Sequence, residues 1–478
     1  MHFGTVSSEE WQNACQQLVD GERNLLGFWG ETGFVHMATL DEMRPGFDVT
    51  CLACPDGVFP SLARVHPPAG RLERAIHDLF GLTPIGSPDE RPWLNHGRWG
   101  VGAAHAAEYK FLPAEGESLH QISVGPVHAG IIEPGHFRFT ASGETIIRLE
   151  ERLGYAHKGT ESLMQGADIA RAAKLAGRVS GDSTVAYAYA FARAVEMAAG
   201  IKVQPRAAWL RALMAELERL SNHFGDIGAV CNDASFSLMH AHCCILREQI
   251  LRTSRECFGH RLMMDCVVPG GVAADLSPGH VGRLCSLVEE IRNTFPALVR
   301  LYDNTASLQD RMVETGILKP ELARQFSCGG YVGRASGRTF DARKKPGYAP
   351  YDGLDFEVPT LEEGDVNARV WIRIKEVEQS LRLIAQILLG LPEENLKTVV
   401  LPESLAGAAE GCALVEGFRG DIFVWLRLSS DMRVLRCHLR DPSWFQWPLL
   451  ESAIEGNIVA DFPLCNKSFN CSYSGHDV

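Results

Sequence analysis

The sequence predicts an α+β protein, with a small α/β module over residues 1–120 and a mainly helical bundle with small antiparallel sheets over 121–478. Three observations predict it. A chain of 478 residues is too long for one ordinary core. Its first part consists of short apolar stretches punctuated by Gly, Pro and Asp, the pattern of strands joined by turns. From Ile122 onward, long segments carry apolar residues at helical spacing.

Taken in order, residues 11–19 form an amphipathic stretch of about two turns, from Trp11 to Leu18 and Val19. Residues 25–65 read as strands. The run 71–80 reads as a helix stopped by Gly81, and residues 83–100, rich in Pro, Gly and Asp, as an ordered loop. The linker falls at residues 112–119, centred on Glu115-Gly-Glu-Ser-Leu. Residues 137–147 then read as two strands around a Ser-Gly turn. Leu210, Leu213, Met214, Leu217 and Leu220 share one face of a helix over 209–224, and residues 280–302 and 365–389 continue that behaviour.

Composition narrows the function classes. Hydrophobic residues make up 46% and charged residues 22%, as in soluble globular proteins. No run of about 18 or more apolar residues crosses a bilayer. The polar, acidic start lacks the basic-then-apolar order of a secretory signal, so the expected compartment is the cytoplasm. A net charge of −13 argues against nucleic acid as a partner. Fourteen cysteines in a chain of this size read as free thiols in a reducing compartment.

Four constellations concentrate chemistry. His128 and His136 sit on a Gly/Pro loop entering a hairpin, where they either face a cavity or simply build the turn. Arg178, Ser180, Asp182 and Ser183 place a polar cluster before an apolar helix, which Ser180 or Asp182 alone would cap. Arg334, Asp341, Arg343, Asp365 and Arg369 lie on Gly-rich segments and suggest buried ion pairs between helix ends. The fourth is Asp441-Pro-Ser443-Trp-Phe-Gln446, with Cys465, Cys471 and His476 beyond it. That Cys/Cys/His set, Cys51 with Cys54, and His240 and His242 beside Cys243 and Cys244 all lack the paired spacing of a closed zinc site. They read as core residues, with no metal bound. No Walker loop and no G-x-G-x-x-G after a strand appears.

Together these segments resemble the D subunit of complex I and the large subunit of nickel-iron hydrogenases of the formate-hydrogenlyase type. The resemblance rests on Gly125-Pro-Val-His128, Glu133-Pro-Gly-His136, His157-Lys-Gly-Thr-Glu161, Glu216-Leu-Glu-Arg219-Leu-Ser-Asn-His223, Arg334-Ala-Ser-Gly337 and Glu416-Gly-Phe-Arg-Gly420. His77-Asp-Leu-Phe-Gly81 is similar to the C-type component, which such chains carry fused in front.

The departures are specific. The family's hydrogenases hold nickel and iron with two C-x-x-C pairs, where this chain has Ser180 and Ser183, and Ser443 and Gln446. Hydroxyls and an amide do not replace thiolates, so hydrogen activation does not follow. Complex I offers quinone a histidine on the first hairpin, matched here by His136 or His128, and a tyrosine after the H-[RK]-G-T-E phrase. An ungapped count puts Ile169 at the tyrosine position.

The resemblance implies a peripheral subunit on the inner face of the cell membrane, working in NADH–quinone or formate-hydrogenlyase-type electron transport. Quinone binding and NAD binding enter at the level of the whole complex, since this chain holds no flavin, NAD or cluster motif and is expected to bind no cofactor itself. The implied partners are an iron–sulfur small subunit and membrane ion-translocating subunits. Redox residues are expected at His136, Arg178 and Asp182. The implied cleft is formed by residues 126–137, 178–183 and 441–446, with His128, Ile169, Ser180, Ser183, Asp441, Ser443 and Gln446 around it. A second reading is a scaffold that keeps these interfaces without redox chemistry.

Overall fold

The computed structural model describes residues 3–43, 46–97, 109–128, 130, 132–394, 396 and 398–478. Positions 98–100 of the expected ordered loop, and 129 and 131 of the histidine loop, lie outside the described residues.

The N-terminal module is a four-stranded sheet in the order β1-β4-β3-β2, from β1 (Phe3–Thr5), β2 (Asn24–Glu31), β3 (Phe34–Leu40) and β4 (Phe47–Ala53). Its first helix, α1 (Ser8–Val19), starts a turn earlier than the apolar pattern predicts. Ser7 caps it and Glu10 reaches back to the Ser7 N–H, a reciprocal capping box. A short strand β5 (Val58–Pro60) precedes α2 (Gly70–Phe80), which ends as expected on Gly81 at φ +67°, a conformation favouring glycine. The expected loop opens with β6 (Thr83–Ile85), parallel to β5.

Beyond the exposed residues 115–118, the hairpin is a three-stranded sheet: β7 (Leu119–Val124), β8 (His136–Ser142) and β9 (Thr145–Arg152). Next come α3 (Thr160–Met164), α4 (Ile169–Ala176), α5 (Thr184–Ala199), α6 (Pro205–Asp233) and α7 (Ser237–Phe258). A two-stranded ribbon β10 (Val267–Val268) and β11 (Gly271–Val272) leads to α8 (Pro278–Asp303), α9 (Ala306–Met312), α10 (Pro320–Gln325), α11 (Gly330–Ala335) and α12 (Val366–Gly390). The sheet β12 (Ala409–Glu416), β13 (Asp421–Leu428) and β14 (Val434–Arg440) precedes α13 (Ser443–Ala453), α14 (Phe462–Phe469) and α15 (Tyr473–His476). The three helices expected over 209–224, 280–302 and 365–389 are α6, α8 and α12. No helix of the described residues is long and apolar enough to cross a membrane.

The N-terminal sheet does not stand apart. Leu26, Trp29, Ala38, Leu40, Phe47 and Val49 pack in the same apolar core as α5, α6 and β12–β14. Trp29 stacks between His36 (5.3 Å) and His438 (4.7 Å), one from each side of the seam. Ion pairs Glu31–Arg427 (2.6 Å) and Arg71–Glu451 (2.7 Å) close its edges.

Candidate functional site

Ser180 and Ser183 stand three residues apart at the turn entering α5, and Ser443 and Gln446 three apart on the first turn of α13. On α13 that spacing points both members of the pair the same way, whereas Ser180 is in extended backbone and meets Ser183 through Asp182. All four are buried. The Ser180 hydroxyl donates to Asp182 Oδ1 (2.6 Å) and lies 3.0 Å from Ser472 Oγ. Ser183 Oγ donates to the same Asp182 oxygen (3.2 Å). Ser443 Oγ accepts the Ser472 N–H (2.8 Å). The Gln446 amide donates to the carbonyls of Arg419 (2.9 Å) and Gly329 (3.3 Å), while its Oε1 has no donor. The two pairs therefore meet through Ser472 and Arg419, neither of which is expected at the site from the sequence.

Arg419 is the cation of this knot. It donates to Asp182 Oδ2 (2.6 Å), Ser183 Oγ (3.3 Å) and the Asn470 carbonyl (2.5 Å). Burial alone would raise the Asp182 carboxyl, but Arg419 overrides it and holds the group below its ordinary range. Asp441 accepts from Tyr187 Oη (2.6 Å) and from the Ser443 N–H (2.8 Å). Burial, then the Asp441 charge, pushes the Tyr187 phenol well above its usual value, so it stays a donor. The segment 470–477 packs against the knot through Asn470 and Ser472. Gly475 approaches so closely that a Cβ there would sit 2.4 Å from Asp441 Oδ2.

Arg178 departs from expectation. Its guanidinium points outward, paired with Asp265 across residues about 40% exposed and bonded to the Lys174 carbonyl (3.0 Å). Neither Ser180 nor Asp182 caps α5. Glu218 on α6 does so, accepting the N–H groups of Val185 (2.7 Å) and Ala186 (3.0 Å). Ile169 opens α4 and is buried in the main core, with Asp168 as its cap.

His128 binds the Gly135 carbonyl through Nε2 (2.7 Å), closing its loop on itself. His136 opens β8, is 8% exposed, and has a buried Nε2 without a partner. Burial and then the Arg138 charge lower its basicity, leaving the ring neutral at pH 7. The Phe111 ring lies 4.9 Å away. Glu133 of the same loop accepts the Ser474 N–H (3.0 Å), so the loop joins the C-terminal segment that packs on the serine knot.

Beside the knot lies a buried ionic cage. Arg334 bonds Glu376 (2.8 Å) and Glu416 (2.9 Å), and Arg343 bonds Asp341 (2.7 Å) and Glu216 (2.9 Å). His223 meets Glu376 (2.7 Å). Arg219 holds the carbonyls of Glu416 (2.7 Å) and Gly417 (2.9 Å), thereby positioning the turn that carries Arg419. Asp365, expected among these ion pairs, caps α12 through the Ala368 N–H instead. Arg369 bonds Ser468 Oγ (2.9 Å) and backbone carbonyls.

A nickel–iron centre needs soft anionic ligands, and the donors here are three hydroxyls and an amide already engaged with Asp182, Ser472 and backbone carbonyls. The residues do not fit it. Cys465 and Cys471 are buried, and His476 is bonded to Asp477 (2.8 Å). Cys244 is exposed on α7, so the core reading fails there. Among the described residues no three His, Cys, Asp or Glu side chains are grouped to hold a metal ion.

Comparison with known proteins follows the same lines. Residues 5–111 match the family described as "Respiratory-chain NADH dehydrogenase, 30 Kd subunit", and 233–406 match its "49 Kd subunit". The chain is 30% identical to formate hydrogenlyase subunit 5 of Escherichia coli over 441 residues, covering 88% of this chain and 77% of that protein. It is 30% identical to the carbon monoxide-induced hydrogenase of Rhodospirillum rubrum, over 74% of this chain and 98% of that one. The fused C/D component of the NADH-quinone oxidoreductase of Bacteroides thetaiotaomicron is 28% identical over 84% and 82%. A chain of an archaeal membrane-bound sulfane sulfur reductase, a respiratory membrane complex, shares the fold with a TM-score of 0.71 at 24% identity, over 76% of this chain and 99% of its own. The chain belongs to the family of respiratory NADH dehydrogenase 49-kDa subunits and related hydrogenase large subunits, with a 30-kDa-type module fused in front.

Proposed function

We propose that the chain is the large subunit of a membrane-bound respiratory oxidoreductase, peripheral on the cytoplasmic face. It passes electrons from an iron–sulfur partner to quinone or a similar acceptor, with no nickel–iron centre. Residues 1–120 and 121–478 serve as its C-type and D-type parts. The observation that carries the reading is His136, whose neutral ring has a buried, unpartnered Nε2 at the end of the loop that also carries the exposed Val127 (72%) and Ile132 (44%), so that an acceptor displacing this loop would reach it. An acceptor with an apolar body and a carbonyl oxygen suits that combination. The serine knot next to it supplies no electrons and holds the shape of the surface facing the iron–sulfur partner.

The complex purified from native membranes tests this. Quinone reduction should fall about tenfold or more in His136→Ala and remain near wild type in Arg178→Ala, because that residue faces away. Equal turnover in wild type and His136→Ala would sink the acceptor role. Elemental analysis should find no stoichiometric nickel, and hydrogen-dependent dye reduction should be absent; about one nickel per chain would overturn the reading.

The closure of the knot by residues 470–477 favours a second reading, a scaffold coupling a partner to a membrane ion-translocating module. A complex that retains all its partners but reduces no quinone with any donor would decide for it.

A further inference from the structure

A cleft of about 460 Å³ opens where α1 and β2 meet α10 and the turn after α11. It is remote in sequence from every residue of the serine knot, and its wall has two kinds of surface. One is cationic: Arg23, Arg324 and Arg338 face a single lining carboxylate, Glu42. The other is apolar: Leu18, Val19 and Val65, of which Val19 is 45% and Val65 51% exposed.

The three arginines are not equally committed. Arg338 is consumed by the carbonyls of Ser327 (3.1 Å) and Cys328 (3.0 Å) and by Glu42. Arg23 uses one nitrogen on Asp48 (2.7 Å) and Thr39 (3.0 Å), leaving the rest of its fork. The exposed guanidinium of Arg324 makes no hydrogen bond or ion pair among the described residues. In a chain of net charge −13 this local positive excess concentrates anions.

His66 lines the same cleft, is 5% exposed, and has a buried Nε2 with no partner. Burial holds its pKa down to about 4, so at neutral pH it is an uncharged ring able to donate one N–H. That Nε2 is shielded from solvent, so the ring forms a neutral part of the cleft wall and leaves an anion to the arginines.

The volume falls in the range of small-molecule sites, roughly 300–1,000 Å³, and exceeds what a bare inorganic anion fills. Guanidinium forks match the oxygens of a phosphate group. We propose that this cleft binds a soluble phosphate monoester, its phosphate held by Arg23 and Arg324 and its organic part laid against Leu18, Val19 and Val65. The ligand bridges the N-terminal sheet and the large domain, so its occupancy stabilises the seam between them.

Isothermal titration calorimetry on the full chain tests this with phenyl phosphate, inorganic phosphate and citrate. Phenyl phosphate should bind saturably and more tightly than inorganic phosphate. Arg324→Ala, at an exposed position, should weaken both by about tenfold or more. Val65→Ser, also exposed, should weaken phenyl phosphate and leave inorganic phosphate unchanged. The proposal is overturned if phenyl phosphate does not bind, if Arg324→Ala changes nothing, or if citrate binds as tightly as phenyl phosphate. It is equally overturned if the chain adsorbs to phosphatidylglycerol vesicles through Arg324 without competition by phenyl phosphate, since a lipid headgroup would then be the ligand.

Discussion

The ionic cage and the serine knot are neighbours, yet they are built on opposite principles. In the cage, Arg334, Arg343, Glu216, Glu376, Glu416 and Asp341 are all 2% exposed or less and are held by ion pairs with one another. Burial would raise Glu376, but Arg334 and His223 hold it well below the ordinary carboxylate range. In the knot the contacts are between hydroxyls, an amide and backbone, with one ion pair whose Asp182 is 36% exposed. The cage cannot lose a member without stranding a charge. The knot can exchange members at the cost of a hydrogen bond. That difference explains how a chain can keep its arginine and glutamate motifs while metal-ligand positions become serine and glutamine.

The comparison breaks most directly at Arg334. Arg334→Met leaves Glu376 and Glu416 buried without their cation and should cost about 3–5 kcal/mol, read from urea unfolding. If it costs no more than a knot substitution, the contrast fails. Ser443→Ala comes next. It leaves the Ser472 N–H buried and unsatisfied, for about 1–3 kcal/mol, and should expose residues 470–477 to faster hydrogen exchange.

Asp182→Asn should cost less than Arg334→Met, because solvent screens the 36%-exposed Asp182 end of its pair with the buried Arg419. A larger loss would mean that the knot behaves as a second cage.

The smallest effect sharpens the picture at the seam. Burial would raise Glu31, but His36 and Arg427 lower it to about 2. A folded pKa below the unfolded value stabilises above the unfolded one. Glu31 therefore supports the fold above about pH 4.5 and loses that support as pH falls towards 2. Glu31→Gln should flatten the acid limb of the stability profile. An unchanged limb would remove Glu31 from the seam's energetics. A protease cut within the exposed residues 115–118 should leave both fragments associated, because the seam buries Trp29 between His36 and His438.

What is legible in the sequence is what local periodicity encodes. The apolar stripe of α6 and the Gly81 stop of α2 are readable because their causes lie within a turn or two of the residues they affect. The start of α1 escapes the apolar repeat because its signal, Ser7 with Glu10, is a cap that precedes that repeat. Strand β7 escapes it because hydrogen bonds to β8 complete the strand, and none of its own six residues is buried.

The candidate site divides in the same way. The sequence by itself determined the family motifs and the absence of thiols at the paired positions. Only the tertiary structure decided that Arg178 turns away to Asp265, 87 residues distant, while Arg419 takes the place beside Asp182, 237 residues distant. It likewise brought Ser472 to Ser180 across 292 residues. Side-chain charge and size are written in the chain. The identity of a buried group's partner depends on which backbone segments meet, and the packing of the whole core sets that.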